Sequence, residues 1–173
     1  MRAPRRPYGE DLAFVHDIGF GGFAGEAAPG VLAILAEAGV RSGRVVDLGC
    51  GSGIWAERLV GRGYEVLGID ISEAMIRRAR RRVESAEFRV GSVFRAEIPT
   101  CRAVTSLGEC LSYLVEGRAG DGGLIRLFRR VHAALAPGGV FVFDLMEPGE
   151  LGAKRRATAV ARGEGWFVAV EKE

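Results

Sequence analysis

Three glycines fall within five residues at Gly49-Cys50-Gly51-Ser52-Gly53, directly after Val45-Val46-Asp47-Leu48. No other stretch restricts the fold as much. Val45, Val46 and Leu48 read as a short strand buried on both faces, the kind found inside a parallel sheet. The glycines let the backbone turn sharply and let a ligand approach with no Cβ in the way. Ile54 to Val60 then has helical composition and stops at Gly61 and Gly63, so the loop joins a strand to a helix N-terminus. Twenty-three residues after Asp47, the run Val66-Leu67-Gly68-Ile69-Asp70 ends in a second carboxylate. An acid about 20 residues beyond a Gly-rich turn, at the tip of the second strand, suits the two hydroxyls of a ribose. The pattern predicts a doubly wound α/β fold, with a mainly parallel sheet, that binds a nucleoside cofactor.

A dinucleotide fingerprint would place its third glycine at position 54, which is Ile54, whereas here it comes one residue early at Gly53. Asp47 is awkward beside a pyrophosphate and well suited to a ligand carrying an ammonium or sulfonium charge. The D-x-G-x-G-x-G pattern with an acidic second-strand tip resembles the class I S-adenosylmethionine (SAM) dependent methyltransferases, whose fold is Rossmann-like. Two later stretches carry the same resemblance. Thr105-Ser106-Leu107-Gly108-Glu109 through Leu114 is similar to a segment of small-molecule methyltransferases, and Leu135-Ala136-Pro137-Gly138-Gly139 leads into an expected fifth strand over Val140–Leu145 that carries Asp144. The resemblance covers residues 44 to 147.

It implies SAM as cofactor, S-adenosylhomocysteine (SAH) as product and transfer of a methyl group to an oxygen or nitrogen of a small molecule. Asp47, Gly49, Cys50, Gly51 and Gly53 would hold the methionine end, and Asp70 the ribose. Ile71 and Met75 would flank the adenine, with Ser92 and Val93 at its edge and Leu107 beside the site. Relatives often carry an acid where this chain has Ser92. No catalytic residue is legible, because methyl transfer needs little beyond proximity, orientation and water exclusion. His16, Glu109 and Tyr113 are candidate bases. Against these roles stand a structural histidine, a surface acid and a core tyrosine. No metal site is expected. An oxidoreductase of NAD type and a non-catalytic SAM- or SAH-binding scaffold remain as alternatives, as do RNA or protein acceptors. The place of an N-P-P-Y tetrapeptide reads Ser106-Leu107-Gly108-Glu109, and Cys101 follows Thr100 rather than a proline, which argues against two nucleic-acid chemistries.

A chain of 173 residues suits one domain with a sizeable core. We divide it into a helical cap over 1–40, a cofactor-binding core over 41–147, and a linker with a β-hairpin over 148–173. No run reaches the roughly 18 to 20 apolar residues of a membrane span, and the basic N-terminus lacks a signal-peptide core. Three cysteines without metal-like spacing point to reduced thiols and a cytoplasmic protein. A net charge of +2 argues against nucleic acid as partner. A helix is expected over Ala27–Ala38, and another over Glu73–Val83 whose five arginines read as a solvated face. The strands end early for this class. Five are readable by residue 145, and Thr158–Arg162 with Trp166–Glu171 reads as a hairpin around Gly163-Glu164-Gly165. We expect this hairpin to stand off the sheet on the substrate side, and the bare edge of the fifth strand to invite a homodimer.

Overall fold

The computed structural model describes residues 9–19, 21–112, 120–145 and 157–172. Two helices come first, α1 (Glu10–Gly19) and α2 (Gly22–Glu37), followed by β1 (Gly43–Leu48), α3 (Ile54–Val60), β2 (Tyr64–Asp70), α4 (Glu73–Arg82) and β3 (Glu87–Val90). Then come β4 (Cys101–Ser106), a single 3₁₀ turn at Cys110–Ser112, α5 (Gly120–Ala134), β5 (Leu135–Phe143), and the strands β6 (Ala157–Gly163) and β7 (Trp166–Lys172).

β1 to β5 form one sheet in the order β3-β2-β1-β4-β5, every pairing parallel. Chain order reverses between β1 and β4, and ligands of such sheets bind beyond the strand C-termini at that crevice. Alternation along β1 divides the core. Val45 packs with Trp55, Leu59, Ile76 and Ala103 on one face, and Val46 and Leu48 pack with Leu67, Val104, Leu127 and Val131 on the other. Helices cover both faces, which is why the strands read as continuous apolar runs.

The boundaries depart from the expectation in three places. α2 begins at Gly22 rather than Ala27 and runs through Pro29, because Ala28, Val31 and Leu35 are buried and packing overrides the weak propensity of its glycine-rich first turns. β5 starts at Leu135, with a register shift opposite Cys101 to Ala103 that absorbs Pro137-Gly138-Gly139. Gly163 pairs with Trp166, so the hairpin connection is two residues, Glu164-Gly165, with Gly165 at φ +76°. The hairpin forms its own two-stranded sheet, apart from the five-stranded one. A Cβ on Gly19 would lie 2.6 Å from the Trp166 ring, so the hairpin rests on the end of α1. Among the described residues, no single helix is long and apolar enough to cross a membrane. Tyr113 and the linker over 146–156 lie outside the described residues.

Candidate functional site

The glycines of the loop after β1 answer three different needs. All have positive φ, at +77° for Gly49, +52° for Gly51 and +83° for Gly53. A Cβ on Gly49 would strike the Cys110 sulfur at 2.5 Å, and one on Gly53 would press on Ala79 of α4 at 3.1 Å. Those two glycines let neighbouring segments come close. A Cβ on Gly51 would meet nothing within 4 Å, so this backbone faces open space.

Asp70, at the tip of β2, holds the loop from the other side. Its Oδ2 accepts from Gly51 N at 2.9 Å and its Oδ1 from Ser72 N at 2.8 Å. Ser72 then caps α4 by accepting from Met75 N at 3.2 Å. A carboxylate oxygen carries more than one lone pair, so Asp70 keeps acceptor capacity for ligand hydroxyls. Burial pushes its carboxyl upward, opposed by the two amide hydrogen bonds and by His16.

Asp47 is 2% exposed and lies on the Val45 face of β1. The parallel register sets Thr105 beside it. Thr105 Oγ1 donates to Asp47 Oδ1 at 2.8 Å and accepts from Trp55 Nε1 at 3.0 Å, so one hydroxyl is used in both directions and fixes the carboxyl's orientation. Burial pushes this carboxyl up to about 7, with the Asp70 charge adding and the Thr105 bond opposing. No ion pair to Asp47 occurs among the described residues. A buried carboxylate without a cation is stabilised by whatever cation a ligand brings. An open glycine floor, a ribose-type acceptor and a carboxylate awaiting a cation together fit SAM, whose methionine end carries both an ammonium and a sulfonium.

The remaining expected residues are distributed unevenly. Cys50 has its side chain 7% exposed and packed in the core, so only its backbone can serve a ligand. Met75 is 3% exposed and clusters with Ala13 and Ala74, because α1 covers the face of α4 that periodicity alone left open. Ile71 stays exposed. Ser92 Oγ accepts from Phe94 N at 3.1 Å, Val93 packs against the core on the Val46 face of the sheet, and Leu107 against the core on the Val45 face. Burial pushes the thiols of Cys50 and Cys110 upward, reinforced by the aspartates nearby, so neither is a thiolate nucleophile at neutral pH.

Of the candidate bases, His16 lies on α1 near Asp70 and Asp17. Burial lowers its pKa despite those two acids, which leaves it neutral at pH 7. Glu109 follows β4 with φ +59°, unusual for a residue with a side chain. Asp144 holds that turn, accepting from Gly108 N at 3.0 Å and Glu109 N at 2.9 Å. Tyr113 lies outside the described residues.

Sequence reasoning did not single out Thr105, Trp55, Asp144, Arg130 or Asp17. Arg130 of α5 donates to the carbonyls of Val93, Phe94 and Ala96 and so shapes the loop after β3. The arginines of α4 are not a uniformly solvated face. Arg78 and Arg82 are half-buried against Asp17 of α1, and Arg80 donates to the Phe88 carbonyl at 2.8 Å. The reason is an element some sixty residues upstream that the helix's own sequence cannot show.

The chain resembles known proteins over most of this region. It is 36% identical over 128 residues to a trans-aconitate 2-methyltransferase of Paracidovorax citrulli, covering 73% of this chain and 47% of that relative. It thus spans about half the length of that relative. Among solved structures, DesVI of Streptomyces venezuelae superposes with TM-score 0.76 at 24% identity, covering 94% of this chain and 69% of that one. SAM-bound CalS10, an amino pentose methyltransferase of Micromonospora echinaspora, superposes with TM-score 0.74 at 25% identity, covering 94% and 68%. A family model described as a methyltransferase domain matches residues 45–139, from the first residues of β1 to the start of the last parallel strand. The loop, both aspartates and the switch in strand order all lie inside that match, and the chain belongs to the methyltransferase-domain family.

Proposed function

We propose that this chain binds SAM and transfers its methyl group to an oxygen or nitrogen of a small-molecule acceptor. The observation that carries the reading is Asp47, a buried carboxylate with no cation partner among the described residues, set beside an open Gly51 and the Asp70 tip. When bound, SAM supplies an activated methyl group on a sulfonium leaving group. The chain contributes binding, alignment and exclusion of water. Asp47 and the backbone of Gly49, Cys50, Gly51 and Gly53 face the methionine end, and Asp70 accepts from the ribose hydroxyls. Ile71 flanks the adenine, the buried Met75 backs it, and Ser92, Val93 and Leu107 complete the surround. Neutral His16 can accept a proton from an acceptor hydroxyl or amine, and Glu109 is the second candidate for that role.

The relatives' names support a small acceptor, one being a trans-aconitate enzyme and another an amino pentose enzyme. The helical cap over 1–40 and the hairpin bound the acceptor side, since Trp166 rests on Gly19. The three cysteines are free thiols, in keeping with a cytoplasmic protein. β5 is paired on one side only among the described residues, and a second copy could add there. Light scattering showing only monomer at high concentration would remove that dimer.

Calorimetry with SAM, SAH and NADH tests the cofactor. SAM and SAH should bind and NADH should not. Binding of NADH alone would overturn the reading. A screen of metabolite mixtures for methyl uptake then tests the acceptor, and SAH binding without turnover on any acceptor would favour a non-catalytic protein.

A further inference from the structure

α1 meets α4 largely through charged side chains. Along α1, Glu10 pairs with Arg77, Phe14 lies under the Arg78 guanidinium at 5.4 Å, and Asp17 meets both Arg78 and Arg82. These three positions follow one helical stripe, and Arg78 and Arg82 are one turn apart on α4. The apolar part of the contact with α4 is a cluster of Ala13, Ala74 and Met75, and α1 also buries Val15.

Asp17 does more than join two helices. Its Oδ1 accepts from Arg82 at 2.9 Å and from Ser52 Oγ, and its Oδ2 accepts from Arg78 at 3.4 Å. Arg82 also donates to the Ser52 carbonyl at 2.8 Å and to its hydroxyl at 2.9 Å. Ser52 stands between Gly51 and Gly53, so this network runs from α1 through the ligand-facing loop to α4. Beyond Asp17 the chain bends at Gly21, where a Cβ would lie 2.4 Å from Ile54, the first residue of α3. α1 and its elbow therefore bracket the loop, with His16 near Asp70 on the same helix. A ligand lying on Gly51 and reaching Asp70 would therefore lie next to α1.

We propose that Asp17 is the positioning residue of a clasp, formed with Ser52, Arg78 and Arg82, that holds α1 over the glycine loop and sets how fast the cofactor enters and leaves. The proposal rests on the SAM reading above. An interface held by ion pairs and few apolar contacts opens at lower cost than the sheet beneath it. The clasp also borders a shallow, open cleft lined by Asp17, Glu57, Arg78, Arg81 and Arg82, so dissolved ions reach it and screen it.

The test measures SAH dissociation by rapid mixing for the wild type, D17N, R82Q and the double variant, at low and high NaCl. Hydrogen exchange of the amides in 10–19 and in β1 and β2 is followed in parallel, without ligand. D17N and R82Q should each speed SAH release about tenfold, as expected for losing a charge-assisted hydrogen bond. The double variant should release little faster than either single one, because the residues act as one unit. Added salt should accelerate release from the wild type and change D17N far less. Exchange in 10–19 should quicken in D17N while β1 and β2 keep their protection. Unchanged release and unchanged exchange in D17N would overturn the proposal. So would a loss of protection spread through β1 and β2, which would mark Asp17 as a general stability residue. A wild type that binds no SAH would remove the cofactor reading, and the release role with it. The exchange measurement would still decide separately whether the clasp holds α1.

Discussion

β1 and α1 approach the same glycine loop from opposite sides and are held in place by different physics. Val45, Val46 and Leu48 of β1 are fully buried, and burying one such side chain contributes roughly 1.5–3 kcal/mol. On α1, Leu12 is 46% exposed, Phe14 39% and Ile18 57%, and the helix meets α4 through ion pairs. The exposed pair of Glu10 with Arg77 is weak and screened by salt, and the half-buried pairs of Asp17 are screened less. The comparison teaches that one loop can be held by buried apolar side chains on one side and by ion pairs on another. The proposed methyl transfer would use both, because water must be excluded during reaction and SAH must leave afterwards.

The sharpest way to break the comparison is at the floor. Gly51→Val should abolish SAH binding, since its side chain would fill the open space, at a fold cost of about 1–2 kcal/mol for the left-handed backbone. Calorimetry showing normal SAH affinity would mean that the loop faces elsewhere. Leu48→Ala should instead cost about 2–5 kcal/mol of stability in urea unfolding. A much smaller loss would show a floor looser than its burial implies.

Asp70→Ala comes next. It should weaken SAH binding by about 1.5–3 kcal/mol, read by titration calorimetry. Unchanged affinity would sink the ribose assignment.

The pH dependence of the unliganded chain is a smaller and graded effect. Asp47 titrates near 7 in the fold against about 3.9 when unfolded. The folded chain therefore binds more protons between those values. The contribution of Asp47 to stability is therefore greatest below about pH 4 and falls as pH rises towards 7, with a slope of at most about 1.4 kcal/mol per pH unit. Asp47→Asn should flatten that slope in denaturant titrations run at several pH values. In the wild type, binding of a cationic ligand should release protons near pH 7, visible as a buffer-dependent heat.

The smallest effect is expected at the outer end of the cover. Glu10→Gln removes an exposed ion pair with Arg77. It should leave the melting temperature unchanged and only quicken amide exchange at the start of α1. A clear fall in melting temperature would mean that the cover contributes to global stability after all.

The strand ends and the glycine turn of the candidate site were legible because their signals are local. Asp47, Gly51 and Asp70 each lie at a strand end or turn whose pattern spans a few residues. The expectation for Met75 was right about helix and spacing, yet Ala13 lies over it and buries it more deeply than an open adenine wall. The arginines of α4 misled for the same reason, since Asp17 meets Arg78 and Arg82 across more than sixty residues of sequence. Thr105 and Trp55 could be found only through the β1–β4 register, which places Thr105 beside Asp47.

By itself the sequence determined the strand–glycine–helix unit, the acidic tip of β2, the parallel sheet and the hairpin. Those follow from periods of two and 3.6, from positive-φ positions and from caps, all of which act between near neighbours. Only the tertiary structure decided the orientation of Asp47 through Thr105, the holding of Glu109 by Asp144, and the bond between Ser52 of the loop and Asp17 of α1. Those depend on which distant groups share a buried space. A hydrogen bond or ion pair between elements is chosen by packing and desolvation, which no stretch of neighbouring residues encodes.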